Sequence, residues 1–316
     1  LGELRDRLEI PGMGAEVAKN FRDKARMKTL LARAGLPCAR HRLAPSPDEA
    51  LDFARQVGFP LVLKPPAGAG AKATFRIDDD EALAECLATM PPTRDHPTLL
   101  EEFIVGQEHS FDSVSLGGQV VWYSVNDYYP SPIDVLRHPW IQWCVVSPRE
   151  VDAPRYEAIR EIAPPALRTL GLENGLSHME WFERDDGKVA ISEVGARPPG
   201  AQFATLISYA HDFDLYRAWA ELMVHDRFEP PRRRYAVGAA YLRAQGQGDR
   251  VRAVHGIERA QQEIGDVVVE AKLPAPGQTR SGTYEGEGYV IVRHPETKLV
   301  EHALKRLVER IYVELG

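Results

Sequence analysis

The spacing of hydrophobic positions changes character along the chain, and each change marks an element. From Phe21 to Ala34 the apolar residues Met27, Leu30, Leu31 and Ala34 recur every three or four positions, an amphipathic-helix stripe that Gly35 and Pro37 stop. Lys24 lies on this helix, and its plain reading is an exposed helix lysine. A strand is expected near Cys38 to Leu43. Ser46 then reads as the N-cap of a helix over Pro47 to Val57, ended by Gly58-Phe59-Pro60. Leu61 to Lys64 is a short apolar strand, followed by the glycine- and alanine-rich loop Pro65 to Thr74, a strand at Phe75 to Ile77 and a helix from Asp79 to Met90. Thr98 to Asp112 reads as strand, turn at Gly106, and strand, with a further strand from Val120 to Val125 after Gly117-Gly118. Asn126 to Val146 departs from regular patterning and gathers aromatic residues. A helix over Pro154 to Leu170 leads into a hairpin between Gly175 and Gly200. A helical region follows from Phe203 to Met223, with Asp212 or Asp214 as a cap. Pro230-Pro231 and Arg232 to Arg234 suggest a boundary. Beyond it come short strands at Val237 to Leu242, Val267 to Leu273 and Gly288 to Val292, then a closing helix at Thr297 to Val313. Strands and helices mixed in this order give an α/β (α+β) class.

Composition narrows the function. At 316 residues the chain is long enough for two domains, or one with an appendage. It is 44% hydrophobic and 27% charged, an ordinary globular balance, with no apolar run of membrane-spanning length and no secretory signal at its charged start. A net charge of −7 argues against a general nucleic-acid binder. Cys38, Cys86 and Cys144 show no metal-ligand spacing, which suits a reducing cytoplasm. Leu1 in place of methionine suggests that the natural protein began upstream.

The chemistry is expected in the hairpin. A tight turn centred on Asp186-Gly187 places Glu180 opposite Glu193, Phe182 opposite Ile191 and Trp181 opposite Ser192. Two carboxylates facing each other destabilise an antiparallel pair unless a cation lies between them or one is protonated, and Mg²⁺ is the hard, oxygen-seeking cation. Two solvated glutamates on an exposed face are the bland alternative. Arg197, followed by Pro198-Pro199-Gly200, places a guanidinium just beyond the pair, an arrangement that suits an anionic, phosphate-bearing centre. In the loop after Lys64, the glycines Gly68 and Gly70 let backbone N–H groups approach phosphate oxygens and Lys72 adds charge, although a flexible turn would look similar. Glu102 and Ile104 are placed to offer backbone groups to an adenine edge, and Glu108 to meet ribose hydroxyls; solvated glutamates on a plain strand pair are the alternative. Tyr128, Tyr129, Trp140 and Trp143 could wall a ligand pocket or pack on the core.

Taken in order, Asp23-Lys24, Leu63-Lys64-Pro65 with the glycine-rich loop, Leu100-Glu101-Glu102-Phe103-Ile104 with Gly106 and Glu108, and the Glu180 to Arg197 hairpin resemble the ATP-grasp superfamily, particularly its carboxylate–amine ligases. The resemblance implies an ATP-grasp fold of two α+β subdomains with a small C-terminal α+β domain. Residues 1–20 would be the remnant of a preceding Rossmann-like domain that is absent or truncated. Residues 21–98 would form the small subdomain with its lid, 99–230 the large subdomain with the metal and substrate site, and 231–316 the C-terminal domain. By similarity Lys24, Lys64, Gly68, Gly70 and Lys72 would hold ATP phosphates, Glu101, Glu102 and Ile104 would meet adenine, and Glu108 ribose. Glu180 and Glu193 would bind Mg²⁺, with Mn²⁺ as a substitute, and Lys64 and Arg197 would be catalytic. His178, Arg197, Gly200, Tyr128 and Trp140 are the substrate-side candidates. The family usually carries an asparagine two residues after the second metal glutamate; here that position is Gly195.

The implied reaction is attack of a carboxylate on the ATP γ-phosphate, giving an acylphosphate and ADP, then amine attack to form an amide and release phosphate. The partners would be a small-molecule carboxylate and amine, amino acid or peptide-like, with neither nucleic acid nor membrane; a homodimer is compatible with the sequence. Two rivals are a carboxylase of the biotin-carboxylase type, whose Gln-Val-Glu-His type stretch is replaced here by PPGAQFATL after Arg197, and a non-catalytic nucleotide-binding regulatory module.

Overall fold

Helix starts follow side-chain caps that are local in sequence. Asp23, Ser46, Asp79 and Asp214 each accept a hydrogen bond from the backbone N–H three residues on, at Arg26, Glu49, Ala82 and Arg217. The structure, a computed structural model, describes residues 1–68 and 74–316; Gly70 and Lys72 of the expected phosphate loop lie outside the described residues. In chain order the first elements are α1 (Gly2–Leu8), α2 (Ala15–Asn20), α3 (Lys24–Arg33), β1 (His41–Ala44), α4 (Pro47–Val57), β2 (Leu61–Lys64), β3 (Phe75–Ile77), α5 (Asp80–Thr89) and β4 (Thr98–Glu102). There follow β5 (Gly106–Leu116), β6 (Gln119–Tyr129), α6 (Pro132–Arg137), β7 (Trp143–Ser147), α7 (Glu157–Leu170), β8 (Gly175–Arg184), β9 (Val189–Gly195), α8 (Phe203–His211) and α9 (Leu215–His225). The last are β10 (Ala236–Leu242), β11 (Val251–His255), α10 (Ile257–Ile264), β12 (Val268–Lys272), β13 (Gly288–His294), α11 (Thr297–Arg310) and β14 (Tyr312–Leu315).

The expected helical region from Phe203 is two helices. Asp212 adopts a left-handed φ of 53° that ends α8, and Asp214 caps α9. The stretch read as irregular from Asn126 is more ordered than its pattern suggested, because Asn126 to Tyr129 continue β6 and Trp143 opens β7.

The chain divides into two compact units. One comprises Leu1–Gly106, Val114–Val121 and Glu157–Arg197; the other comprises Gln107–Ser113, Trp122–Tyr156 and Pro198–Gly316. The first carries a four-stranded sheet in the order β1-β4-β2-β3 and the β8-β9 hairpin. Strand alternation gives the small sheet two unlike faces. Leu61 and Leu63 of β2 and Leu100 of β4 point to one side, where Ala50, Phe53 and Ala54 of α4 and Leu83 and Leu87 of α5 bury them. Val62, Lys64, Leu99 and Glu101 take the other face by the same alternation, with Val62 directly opposite Glu101.

The second unit contains the order β12-β13-β10-β7-β6 and the pair β11-β14. Its middle strand β10 is buried throughout. The even positions Ala236, Ala240 and Leu242 pack with Val300, Leu304 and Leu307 of α11, and the odd positions Val237, Ala239 and Tyr241 pack with Phe203 and Leu206 of α8. A side chain at Gly238 would lie 2.6 Å from Leu304, so the glycine is what lets α11 lie this close. Among the described residues no helix is long and apolar enough to cross a membrane.

Candidate functional site

The hairpin brings Glu180 opposite Glu193, as expected, but by a different route. Arg184 and Lys188 close a three-residue loop over Asp185, Asp186 and Gly187, with the Arg184 N–H donating to the Lys188 carbonyl at 2.9 Å and Gly187 in the left-handed region at φ 74°. Trp181 therefore pairs with Ile191 and Phe182 with Ala190, one residue away from the two-residue-turn register. A β-bulge between Glu180 and Trp181 then absorbs one residue on β9, restoring Glu180 opposite Glu193, Met179 opposite Val194 and His178 opposite Gly195. The longer turn and the bulge cancel. The bulge also sets the two glutamates on a locally bent segment, with Trp181, Ile191 and Val194 buried around them.

Helix α3 supplies the cations. Lys24, at its first position, is 8% exposed, which removes the exposed-helix reading. Its Nζ lies 3.1 Å from Glu193 Oε1 and donates to the Gly68 carbonyl at 3.0 Å, while its backbone N–H donates to the Pro66 carbonyl at 2.9 Å. The start of the glycine-rich loop is thereby tied to the hairpin. One helical turn on, Lys28 is completely buried, its Nζ 3.4 Å from Glu101 Oε2. The same oxygen is 3.0 Å from Lys64 Nζ.

Burial alone would lower the Lys64 ammonium, but Glu101, and after it Glu193, outweigh that and hold its pKa above the ordinary lysine range. Burial likewise opposes ionisation of Glu101, and Lys28 and Lys64 overcome it, keeping the carboxylate anionic. Glu180 follows the same logic: burial raises its pKa, whereas His178, whose Nε2 is 3.6 Å from Glu180 Oε1, with Lys64 and Arg197 bring it below the usual range. Charges of alternating sign thus run Lys28, Glu101, Lys64, then Glu193 and Lys24.

The remaining sequence candidates fall in several places. Glu102 holds a guanidinium on each side, Arg40 Nε at 2.5 Å and Arg184 at 3.0 Å, and its backbone N–H donates to the Arg40 carbonyl. Ile104 is buried with Ala39 and Ala190. Gly106 closes that strand-to-strand passage, since a Cβ there would lie 2.2 Å from the Glu183 carbonyl oxygen. Arg197 lies at the end of the first unit beside Gly195; a Cβ built on Gly195 would meet Arg197 and the His178 carbonyl at 3.5 Å or more, so the glycine is not required by space. Glu108, Gly200, Tyr128 and Trp140 belong to the second unit. Glu108 is buried on β5. Tyr128 corrects the pocket-wall reading: it is 2% exposed, stacked on Phe203 and edge-on to Trp143, so its aromatic surface is core. Trp140 is the opposite case, 63% exposed against His138.

Lys28 was missed. It sits at a core-facing position of the stripe formed by Lys24, Met27, Lys28 and Leu31, and a lysine inside an apolar stripe was the available signal.

As to metal, no group of three or more His, Cys, Asp or Glu side chains among the described residues is arranged to hold an ion. The facing carboxyl groups of Glu180 and Glu193 suit the cation that uses one or two protein carboxylates and completes its shell with water and substrate phosphates, namely Mg²⁺. The buried Glu101 Oε1, which has no hydrogen-bond partner among the described residues, is a further acceptor open to a ligand.

Comparison with known proteins agrees with this fold. The chain is 27% identical over 319 residues to the uncharacterized protein y4rH of Sinorhizobium fredii, covering 98% of this chain and 65% of that protein. It is 23% identical over 229 residues to an L-arginine-specific L-amino acid ligase of Bacillus subtilis, covering 71% of this chain and 54% of the ligase. The chain thus spans about two thirds or less of the length of these relatives. The crystal structure of an L-amino acid ligase from Bacillus licheniformis matches the whole chain and 77% of its own, with a TM-score of 0.81 at 20% identity. The ATP-grasp domain model matches residues 29–211, more than half of the chain, in agreement with the paired hairpin carboxylates and their lysines, and this protein belongs to the ATP-grasp family.

Proposed function

We propose that this chain is the ATP-handling part of a ligase that joins the carboxylate of an amino acid to an amine through an acylphosphate, releasing ADP and phosphate. The observation that carries the reading is the ordered alternation of Lys24, Glu193, Lys64 and Glu101 in one unit of an ATP-grasp chain. The likeness to L-amino acid ligases supports an amino acid as the acid or the amine. In this reading Lys24 and Lys64 bind the β- and γ-phosphates, with the Gly68 end of the loop beside them; Gly70 and Lys72 are further phosphate-binding candidates outside the described residues. Glu101, Glu102 and Ile104 meet adenine, and Glu108 meets ribose. Glu180 and Glu193 are the residues that would hold Mg²⁺, which when bound neutralises the phosphate charge.

The chain's own side chains supply position and charge. Lys64 Nζ, held by Glu101 at 3.0 Å, donates to phosphate oxygens as the substrate carboxylate oxygen bonds to γ-phosphorus and the bond to the ADP oxygen breaks. Arg197 stabilises the charge on the transferring group or orients the substrate carboxylate. His178 keeps Glu180 anionic. The amine then attacks the acyl carbon, the C–N bond forms, phosphate leaves and the amine proton passes to solvent. Gly200 and Trp140 remain the substrate-side positions.

The test is product analysis. Purified protein with Mg²⁺, ATP and a panel of paired L-amino acids is expected to form ADP and phosphate in equal amounts with a dipeptide. AMP and pyrophosphate would contradict the mechanism, and bicarbonate-dependent ADP release without dipeptide would point to a carboxylase.

A further inference from the structure

Lys28 poses a question that the reaction as described does not answer. A lysine at 0% exposure is costly to bury unless its charge is matched, and its only anion within ion-pair distance among the described residues is Glu101, at 3.4 Å. Glu101 already has a partner in Lys64, 0.4 Å closer on the same oxygen, by 3.4 − 3.0 Å. One carboxylate between two buried ammonium groups leaves this trio with a net charge of about +1; the hairpin carboxylates Glu193 and Glu180, which also act on Lys64, are the pair that would turn to Mg²⁺ in the ATP reading, and in a low-dielectric environment the excess then acts strongly on any nearby anion. Without Lys28, the Glu101 carboxylate would be matched to Lys64 alone, and the field of that pair would fall to that of a dipole.

We propose that Lys28 is a positioning residue: by sharing the Glu101 carboxylate it leaves the positive charge of Lys64 available to a bound triphosphate. The placement fits. Lys24 and Lys28 are one turn apart on the buried face of α3, so one helix face sets both lysines, Lys24 against the hairpin carboxylate Glu193 and Lys28 behind Glu101. Lys28 Nζ, at 3.4 Å from Glu101, makes no hydrogen bond of good geometry among the described residues, so its contribution is chiefly electrostatic. Burial, moderated by Glu101 and reinforced by repulsion from Lys64, draws its pKa below the ordinary lysine range, and an anion arriving at Lys64 favours its charged form. The inference rests on the ATP reading above.

The experiment measures binding of Mg²⁺-ATP, and of inorganic tripolyphosphate as a probe that lacks adenine, to the full chain by titration calorimetry, alongside thermal melting. Wild-type protein that fails to bind either anion overturns the ATP reading and this inference together. If wild type binds, K28M is expected to weaken both anions about tenfold, K28R to restore binding to within about threefold, and K28M/E101Q to recover most of the tripolyphosphate affinity, because Lys64 alone carries the same net charge as the trio. Wild-type affinity in K28M, or a double variant as weak as K28M, overturns the inference while leaving the ATP reading intact. Should K28M not fold, E101Q decides with tripolyphosphate: retained or tighter binding supports the charge argument, and a tenfold loss overturns it.

Discussion

Each unit contains a buried charged cluster, and the clusters around Asp127 and Glu101 are matched in opposite ways. In the second unit Asp127, with no exposure, accepts hydrogen bonds from His109 Nδ1 at 2.8 Å, from Tyr156 Oη at 2.8 and 2.9 Å and from Arg155. Beside it Asn126 donates to Ser110 at 2.9 Å and to Asp112 at 2.7 Å and accepts from Ser147. The carboxylate and the amide are surrounded by donors and acceptors that match them. In the first unit the trio of Lys28, Glu101 and Lys64 has one cation in excess and, among the described residues, an ammonium with no hydrogen bond and a carboxylate oxygen with none. A carboxylate and an amide filled in this way hold strands together, whereas a cluster with one charge in excess retains free energy that a ligand of the right charge can recover.

The contrast can be broken most strongly at Glu193. Glu193→Gln is expected to lower the rate of ADP formation about a hundred- to thousandfold, the usual loss when one preorganised electrostatic contact is removed, with melting within a few degrees of wild type. Unchanged turnover in a steady-state ADP assay would remove Glu193 from the site.

The second unit should respond the other way. Asp127→Ala strands Arg155 and His109 beside a buried gap, and chemical denaturation is expected to show a loss of about 3–5 kcal/mol. Turnover per folded molecule should stay within about twofold. A large drop in turnover at full stability would mean that this network serves the reaction.

The smallest effect is set by pH. His211 is 5% exposed, edge-on to Trp122 at 5.3 Å with its Nδ1 on the Ile207 carbonyl at 2.8 Å, and burial, with Arg233 adding repulsion, pushes its pKa down to about 4 from 6.5. Between those values the unfolded chain binds a proton that the folded chain refuses, so stability falls as pH drops from 6.5 to about 4 and this contribution is lost below. The loss should approach about 3 kcal/mol in denaturation at stepped pH, and H211F should lack that part of the slope. Equal slopes in both proteins would assign the loss to other groups.

These regions were legible to different degrees. Caps and short strands read well because each depends on residues within a few positions: Pro47–Val57, Leu61–Lys64 and Phe75–Ile77 lie where the pattern placed them. The Glu180 and Glu193 pairing was also legible, though the turn and bulge that produce it were not, since a bulge is set by how neighbouring elements pull on the strand and leaves no mark in its own sequence. Asn126 to Val146 was misread because β6 is buried on both faces near its end, which erases the two-residue alternation.

The sequence by itself pointed to the family, to the order of the main elements from Phe21 to Gly200 outside Asn126 to Val146, and to the residue types that phosphate chemistry needs, because these are carried by local spacing and composition. Tertiary structure alone decided which of those residues meet. It drew Lys24 and Lys28 from opposite sides of Met27 toward two different carboxylates, moved Tyr128 into the core, and put two lysines on Glu101. The physical reason is that burial and charge pairing are sums over neighbours remote in the chain: Lys28 and Glu101, or Lys24 and Glu193, acquire their energies only when helix, sheet and hairpin are packed together.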